Sequence, residues 1–136
     1  MGASGCGKST KARNFMRMHP RVNKAIVSAD NHFLGEDGVY RFDRQQLSQA
    51  HTECQQAFVA ALDESKELVI VDNTNTTAKE RSFYISVAKD YGYEVYIDVV
   101  EGKAEECANR NLHGVPLEAI TRMLVRMDLP PGLHQI

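Results

Sequence analysis

The sequence predicts an α/β fold, a small parallel sheet flanked by helices, and three observations predict it. Short apolar runs alternate with segments whose apolar residues recur at helical spacing. Leu68–Val71 is apolar on both faces, which is how a strand buried in a parallel sheet reads. Strands alternating with helices along one chain are the pattern of layered α/β domains.

Each element follows in order. Residues 9–18 read as a helix with Ala12, Phe15 and Met16 on one side, stopped at His19-Pro20 because proline disfavours helical backbone before it. Residues 24–28 form a short β-prone run. Residues 31–42 hold Gly35 and Gly38 and read as a loop. Asp43 with Gln46 predicts a capping box, after which Leu47, Ala50, Cys54, Ala57, Phe58, Ala61 and Leu62 form a helical stripe. Thr77 and Glu80 predict a second capping box, for a helix with Phe83, Val87, Ala88 and Tyr91 inward and Gly92 as its left-handed stop. A third strand is expected over residues 93–100 and a helix over 103–111. Pro116 opens a last helix with Ile120, Met123, Leu124 and Met127 aligned before Pro130-Pro131.

Composition narrows the function classes. The 136 residues suit one domain, residues 1–136, with 43% hydrophobic and 25% charged residues and a net charge of −2. Collagenous, low-complexity and disordered classes are excluded. Apolar runs of a few residues predict no membrane span, and the N-terminus lacks the apolar core of a secretory signal. Cys6, Cys54 and Cys107 lie far apart, are odd in number and form no Cys-x-x-Cys pair. That pattern predicts neither a disulfide framework nor a zinc site, and a cytoplasmic setting is expected. Residues 1–29 carry six cations (Lys8, Lys11, Arg13, Arg17, Arg21 and Lys24) and no acid. A positive end on an otherwise acidic chain fits either an anion site or a solvated basic helix.

The first nine residues decide between those readings. Gly2-Ala-Ser-Gly-Cys-Gly-Lys8-Ser9 matches G-x-x-x-x-G-K-[ST]. Glycines let successive backbone N–H groups turn inward as an anion nest, and the following helix offers its positive end. Gly2, Ser4, Gly5, Cys6, Gly7, Lys8, Ser9 and Thr10 are therefore the expected ATP-binding residues, with Lys8 on the β- and γ-phosphates and Ser9 on Mg²⁺. The fold expectation sharpens to a three-layer P-loop NTPase sandwich. Met1 directly precedes Gly2, so the central strand that should lead into the loop is expected to be missing from these residues. Either the chain begins inside a longer reading frame or something else fills the gap.

In open parallel sheets ligands bind beyond the carboxyl ends of the strands, where three further groups fall. Asp30 suits the base that takes the proton of an attacking hydroxyl. Asp72 suits Mg²⁺, directly or through water, and Asn73 and Asn75 suit substrate contact or loop ordering. The same residue types also cap turns routinely. Arg110, before a polar break, suits a lid that closes on the transferring phosphoryl group; a salt bridge to Glu106 is the alternative.

Taken together, residues 2–10, Ser28-Ala-Asp30 with Phe33, residues 38–43, Ala50-His51, residues 71–75 and residues 110–116 resemble the polynucleotide-kinase-like P-loop kinases, an AAA-type ATP-binding group that includes zeta-toxin-like members. The likeness is closest to the kinase-like domain of a vertebrate ubiquitin-ligase-binding protein. It implies a small parallel sheet and transfer of the γ-phosphate of ATP to a 5′-hydroxyl of nucleic acid. It also implies Lys8 and Ser9 on phosphate and Mg²⁺, Asp30 as base and Arg110 in the lid. The family pattern is broken at Asn73, where polynucleotide kinases have aspartate, at Phe33, where they favour arginine, and in a short lid at Leu112-His113-Gly114.

Three functions remain open on sequence. One is an ATP- and Mg²⁺-dependent kinase whose acceptor is a 5′ end of RNA or DNA. The second is a small-molecule kinase for a nucleoside or sugar, which the few cations beyond residue 29 favour. The third is a non-catalytic ATP-binding or partner-binding module. Protein partners are not legible.

Overall fold

The computed structural model describes residues 1–111, 113–125, 127 and 134–135. By contact the chain divides into two compact units, one joining Met1–Lys11 to the chain from Thr74 onward, the other Ala12–Asn73. Helix α1 (Lys8–Met18) runs through the first boundary.

In the unit Ala12–Asn73, strands β1 (Lys24–Val27) and β2 (Leu68–Val71) pair in parallel, with Lys24 opposite Leu68 and Val27 opposite Val71. Every residue of β2 is only partly buried, because a two-stranded sheet gives each strand one partner. The expectation of a strand sealed on both faces is corrected there. Helix α2 (Leu47–Asp63) packs on this sheet and buries Ala50, Cys54, Phe58, Ala61 and Leu62. Five of the seven predicted stripe positions are therefore inward, whereas Leu47 and Ala57 face solvent. Asp43 does not start α2. Its carboxylate accepts from Gln45 N (2.9 Å) and caps a 3-10 turn, Arg44–Gln46, that precedes the helix. The predicted loop also begins with order, a 3-10 turn at Ala29–Phe33 capped by Ser28. Its Phe33 is buried beside Phe42 (ring centroids 5.1 Å) and Tyr40 (6.0 Å), a burial that contributes about 1.5–3 kcal/mol.

The other unit holds α3 (Ala78–Asp90), α4 (Ala104–Arg110) and α5 (Leu117–Val125). The Thr77–Glu80 capping box forms in both directions. At the far end Gly92 takes φ 83°, and Tyr93 N bonds Ala88 O while Gly92 N bonds Lys89 O, the paired closure that a left-handed glycine permits. The inward face of α3 is Arg81, Tyr84 and Ala88, and Tyr91 is exposed. Of the expected stripe Ala88 is buried, Phe83 and Val87 are half-buried and Tyr91 is exposed, because Arg81 and Tyr84 turn inward. Strand β3 covers only Tyr96–Ile97 and pairs antiparallel with β4 (His134–Gln135). The predicted last helix is α5, with Ile120 fully buried and Met123 and Leu124 against it. Pro130-Pro131 lies outside the described residues. No helix among the described residues is long and apolar enough to cross a membrane.

The core of this unit gathers Ala3, Cys6, Cys107 and Ile120, with Val100, Ala104 and Val115 packed around them. No strand is assigned to residues 1–7, yet the first two are held on both sides. Gly2 N donates to Thr74 O (2.9 Å), Val100 N donates to Met1 O (2.9 Å), and the Met1 amine donates to Asp98 O (2.6 Å).

Candidate functional site

The glycine-rich segment folds as a tight loop that turns directly into α1. Gly5 and Gly7 adopt φ 77° and 96°, backbone that side-chain-bearing residues rarely take. At Gly5 a Cβ would also stand 1.9 Å from the Cys107 carbonyl oxygen, so the loop meets the end of α4 closer than any other residue allows. Lys8, at the first position of α1, folds its ammonium back across the loop to Ala3 O (2.8 Å). The first turn of α1 holds no acid, and the helix dipole makes that end favourable for negative charge. Ser9 and Thr10 are exposed on that turn. Amide-rich curvature, one ammonium and an acid-free helix start are the kind of donor set that suits a polyphosphate.

One feature of the loop overturns a sequence expectation. Cys6 and Cys107, separated by 101 residues, form a disulfide, with Cα atoms 4.6 Å apart. An odd count and wide spacing carry no information about a pair that only the tertiary fold brings together. Cys54 is buried and takes no part in a disulfide.

Arg110 ends α4 and is exposed; its Nε donates to Glu106 O (3.3 Å), one turn earlier. The alternative salt bridge to the Glu106 carboxylate is thus replaced by a bond to its backbone. Leu112 of the proposed lid lies outside the described residues. Nearby, Asn111 Nδ2 donates to Val115 O (2.9 Å), closing the polar break into a turn around His113 and Gly114.

Asn75 and Arg81 form a support that sequence reasoning missed. Asn75 sits in the left-handed region (φ 48°), and its carbonyl accepts from Arg81 Nη1 (2.9 Å). Arg81 is buried, and its Nε has no hydrogen-bond partner. Asn75 therefore orders its loop through its backbone.

In the unit Ala12–Asn73 the predicted acid lies on the capped 3-10 turn after β1. Asp30 N donates to Ser28 Oγ (3.2 Å), and the Asp30 carboxylate accepts from the Tyr40 hydroxyl (3.1 Å). Burial first, then the Asp30 charge and its hydrogen bond, push the Tyr40 phenol well above its ordinary range. Tyr40 thus stays protonated and orients the carboxylate. Asp72 follows β2, its N–H bonded to Val27 O (2.8 Å) at the end of the parallel ladder. Asn73 is buried, accepts from Ala29 N (2.9 Å) and donates to Cys54 Sγ (3.4 Å). Of its two sequence-level roles, the geometry matches loop ordering. Next to Asp30 on the same turn, His32 bonds Glu53 (2.6 Å) and Gln46 (2.8 Å); these bonds, Glu53 first, push His32 up, and His32 in turn holds Glu53 down.

Comparisons with known proteins agree with the loop. The sequence profile described as "AAA domain" matches residues 1–130. Human NEDD4-binding protein 2 is 35% identical over 127 residues, covering 90% of this chain and 7% of that protein. Mouse YLP motif-containing protein 1 is 26% identical over 93 residues, covering 68% of this chain and 7% of that one. The chain thus spans a small fraction of these relatives. Among solved structures, a chain of the Pnkp1/Rnl/Hen1 complex superposes with TM-score 0.64 at 25% identity, covering 81% of this chain and 36% of that one. A second, from the Pnkp1/Rnl/Hen1 RNA repair complex, gives TM-score 0.72 at 19% identity over 99% of this chain and 46% of that one, a likeness of fold alone. With its glycine loop, small parallel sheet and profile match across 1–130, the chain belongs to the AAA-domain family, in its polynucleotide-kinase-like P-loop kinase branch.

Proposed function

We propose that residues 1–136 act as one phosphotransferase domain that moves the γ-phosphate of ATP to a hydroxyl, with a 5′-hydroxyl of RNA or DNA as acceptor. The observation that carries this reading is the phosphate loop: two left-handed glycines, the Lys8 ammonium folded across the turn and an acid-free start to α1. The family assignment supports nucleotide binding of the P-loop kinase kind. The polynucleotide-kinase-like branch of the family supports a nucleic-acid acceptor.

In this reading the loop amides and Lys8 hold the β- and γ-phosphates and stabilise the charge that develops as the phosphoryl group leaves ADP. Asp30, oriented by Tyr40, takes the acceptor proton, and Arg110 closes on the transferring group. Ser9 and Asp72 would be the oxygen donors for Mg²⁺, which when bound would supply neutralisation of the polyphosphate charge. Gly2, Ser4, Gly5, Cys6, Gly7 and Thr10 complete the loop.

A second reading, a small-molecule acceptor, is favoured by Phe33. The position where the family favours arginine is a buried ring packed on Tyr40 and Phe42, and contributes no charge toward a polyanion. One experiment separates the two readings. Transfer from γ-labelled ATP to a 5′-hydroxyl oligonucleotide is expected, with KM rising steeply with salt as phosphate contacts are screened. Asp30→Asn is expected to abolish transfer while ATP with Mg²⁺ still raises Tm. Labelling of a nucleoside but no oligonucleotide would transfer the case to the second reading; no ATP-dependent shift in Tm would end both.

A further inference from the structure

The disulfide sits inside the motif that defines the protein, and no role assigned above uses it. Cys6 is a loop residue, two positions before Lys8, and Cys107 lies within α4, the helix that ends in Arg110. The bond therefore ties the phosphate loop to the lid-bearing helix. Two glycines make room for it. Gly5 lets the loop backbone press on the Cys107 carbonyl, and at Gly102 a Cβ would lie 2.7 Å from Cys107 Sγ and 3.3 Å from Cys6 Sγ. Gly102 also lines a surface depression of about 490 Å³, together with Glu101, Lys103, Glu106, Leu124 and Met127. Gly102 thus lines the depression on one side and lies against both sulfurs on the other, with no side chain of its own between them.

We propose that Cys6 and Cys107 are a reversible thiol-oxidation site that orders the phosphate loop when oxidised and releases it from α4 when reduced. The reagent class is a low-molecular-weight disulfide such as glutathione disulfide. Cys6 is the attacking thiol, because it directly precedes the positive end of α1, which favours its thiolate, and it is slightly exposed whereas Cys107 is fully buried. Its thiolate displaces one glutathione and forms a mixed disulfide. The Cys107 thiolate then attacks Cys6 Sγ and displaces the second glutathione. Two electrons pass from the two protein thiols to glutathione disulfide, and their two protons end on two glutathione thiols. Cys54 keeps its thiol throughout.

The oxidised loop is pre-organised for polyphosphate, so it binds ATP about tenfold more tightly than the reduced loop. By linkage, ATP favours the disulfide over the dithiol by the same factor. This consequence for ATP rests on the function proposed above; the oxidation and the ordering do not.

The test uses the full chain equilibrated in defined ratios of reduced to oxidised glutathione. Intact mass and thiol counting report the bond, and hydrogen exchange at residues 2–9 reports loop order. Expected is a chain that converts reversibly between three thiols and one, loses two hydrogens in mass, and slows exchange at residues 2–9 when oxidised. Cys107→Ala and Cys107→Ser should show redox-independent exchange there, and Gly102→Ala should shift the midpoint toward the dithiol. Three thiols retained at every ratio, a stable mixed disulfide only, or equal exchange in both states would overturn the proposal. Absence of ATP binding in both states would sink the kinase reading and leave these measurements to judge the switch.

Discussion

Two loops of this molecule carry the candidate chemistry, and they are held in place by different means. The loop at residues 2–9 is shaped by backbone: glycines at positive φ, a carbonyl packed where a Cβ would be, and a covalent tie from Cys6 to Cys107. The turn at residues 28–33 is shaped by side chains: Ser28 caps it, Asn73 binds its Ala29 N–H, and Tyr40 reaches the Asp30 carboxylate. A phosphate nest must present bare amides, so nothing but backbone geometry and bonds behind it can fix its shape. A carboxylate that takes a proton needs its own oxygens oriented, and neighbouring hydroxyl and amide groups do that.

The contrast can be broken at four points, from the largest effect to the smallest. Reducing the disulfide, or Cys107→Ala, is expected to lower unfolding free energy by about 2–5 kcal/mol in denaturant melts, since cross-linking so long a loop restricts the unfolded chain most. An unchanged midpoint would mean that the glycine packing alone holds the loop. Lys8→Ala should lower phosphoryl transfer by about 10²–10³-fold, or about 2.7–4 kcal/mol of transition-state binding, with the melting curve little changed. A smaller loss would assign the phosphate charge to the amides.

On the side-chain-held turn, Asn73→Ala leaves the buried Ala29 N–H without its acceptor and is expected to cost about 1–3 kcal/mol. Asn73→Asp restores an acceptor but adds charge beside Cys54, so its recovery in the same melts measures how far hydrogen bonding alone sets the turn. The His32–Glu53 pair gives the smallest effect, and its sign is fixed. His32 is raised above about 6.5, so its contribution is full below that value and fades as pH rises through its folded pKa. Glu53 is lowered, so its contribution is present above its ordinary value and fades as pH falls through its folded pKa. Stability of the wild type relative to His32→Gln should therefore decline as pH is raised from neutral, and a flat difference would remove the pair from the ordering of the turn.

Sequence reading was most accurate where a local rule acts over a few residues. The Thr77–Glu80 box and the Gly92 stop depend on hydrogen bonds within one turn, and both appear as expected. Helix α1 and strands β1 and β2 fall within a residue of their expected positions. It failed where the outcome depends on how adjoining segments fold. Asp43 caps a 3-10 turn that precedes α2 and not the helix itself, and the buried face of α3 includes Arg81, which bonds the Asn75 carbonyl. The strand over residues 93–100 shrank to two residues because strand length depends on a neighbour's backbone, which local propensity does not contain.

By itself, then, the order of residues determined the alternation of strands and helices and the glycine loop that opens α1, because propensity, capping and positive φ are properties of short segments. Only the tertiary structure decided that Cys6 meets Cys107, that Tyr40 orients Asp30, and that Asn73 serves a neighbouring turn. Those contacts join residues far apart along the chain, and their free energy comes from burial and hydrogen bonding that exist only once the chain has closed on itself.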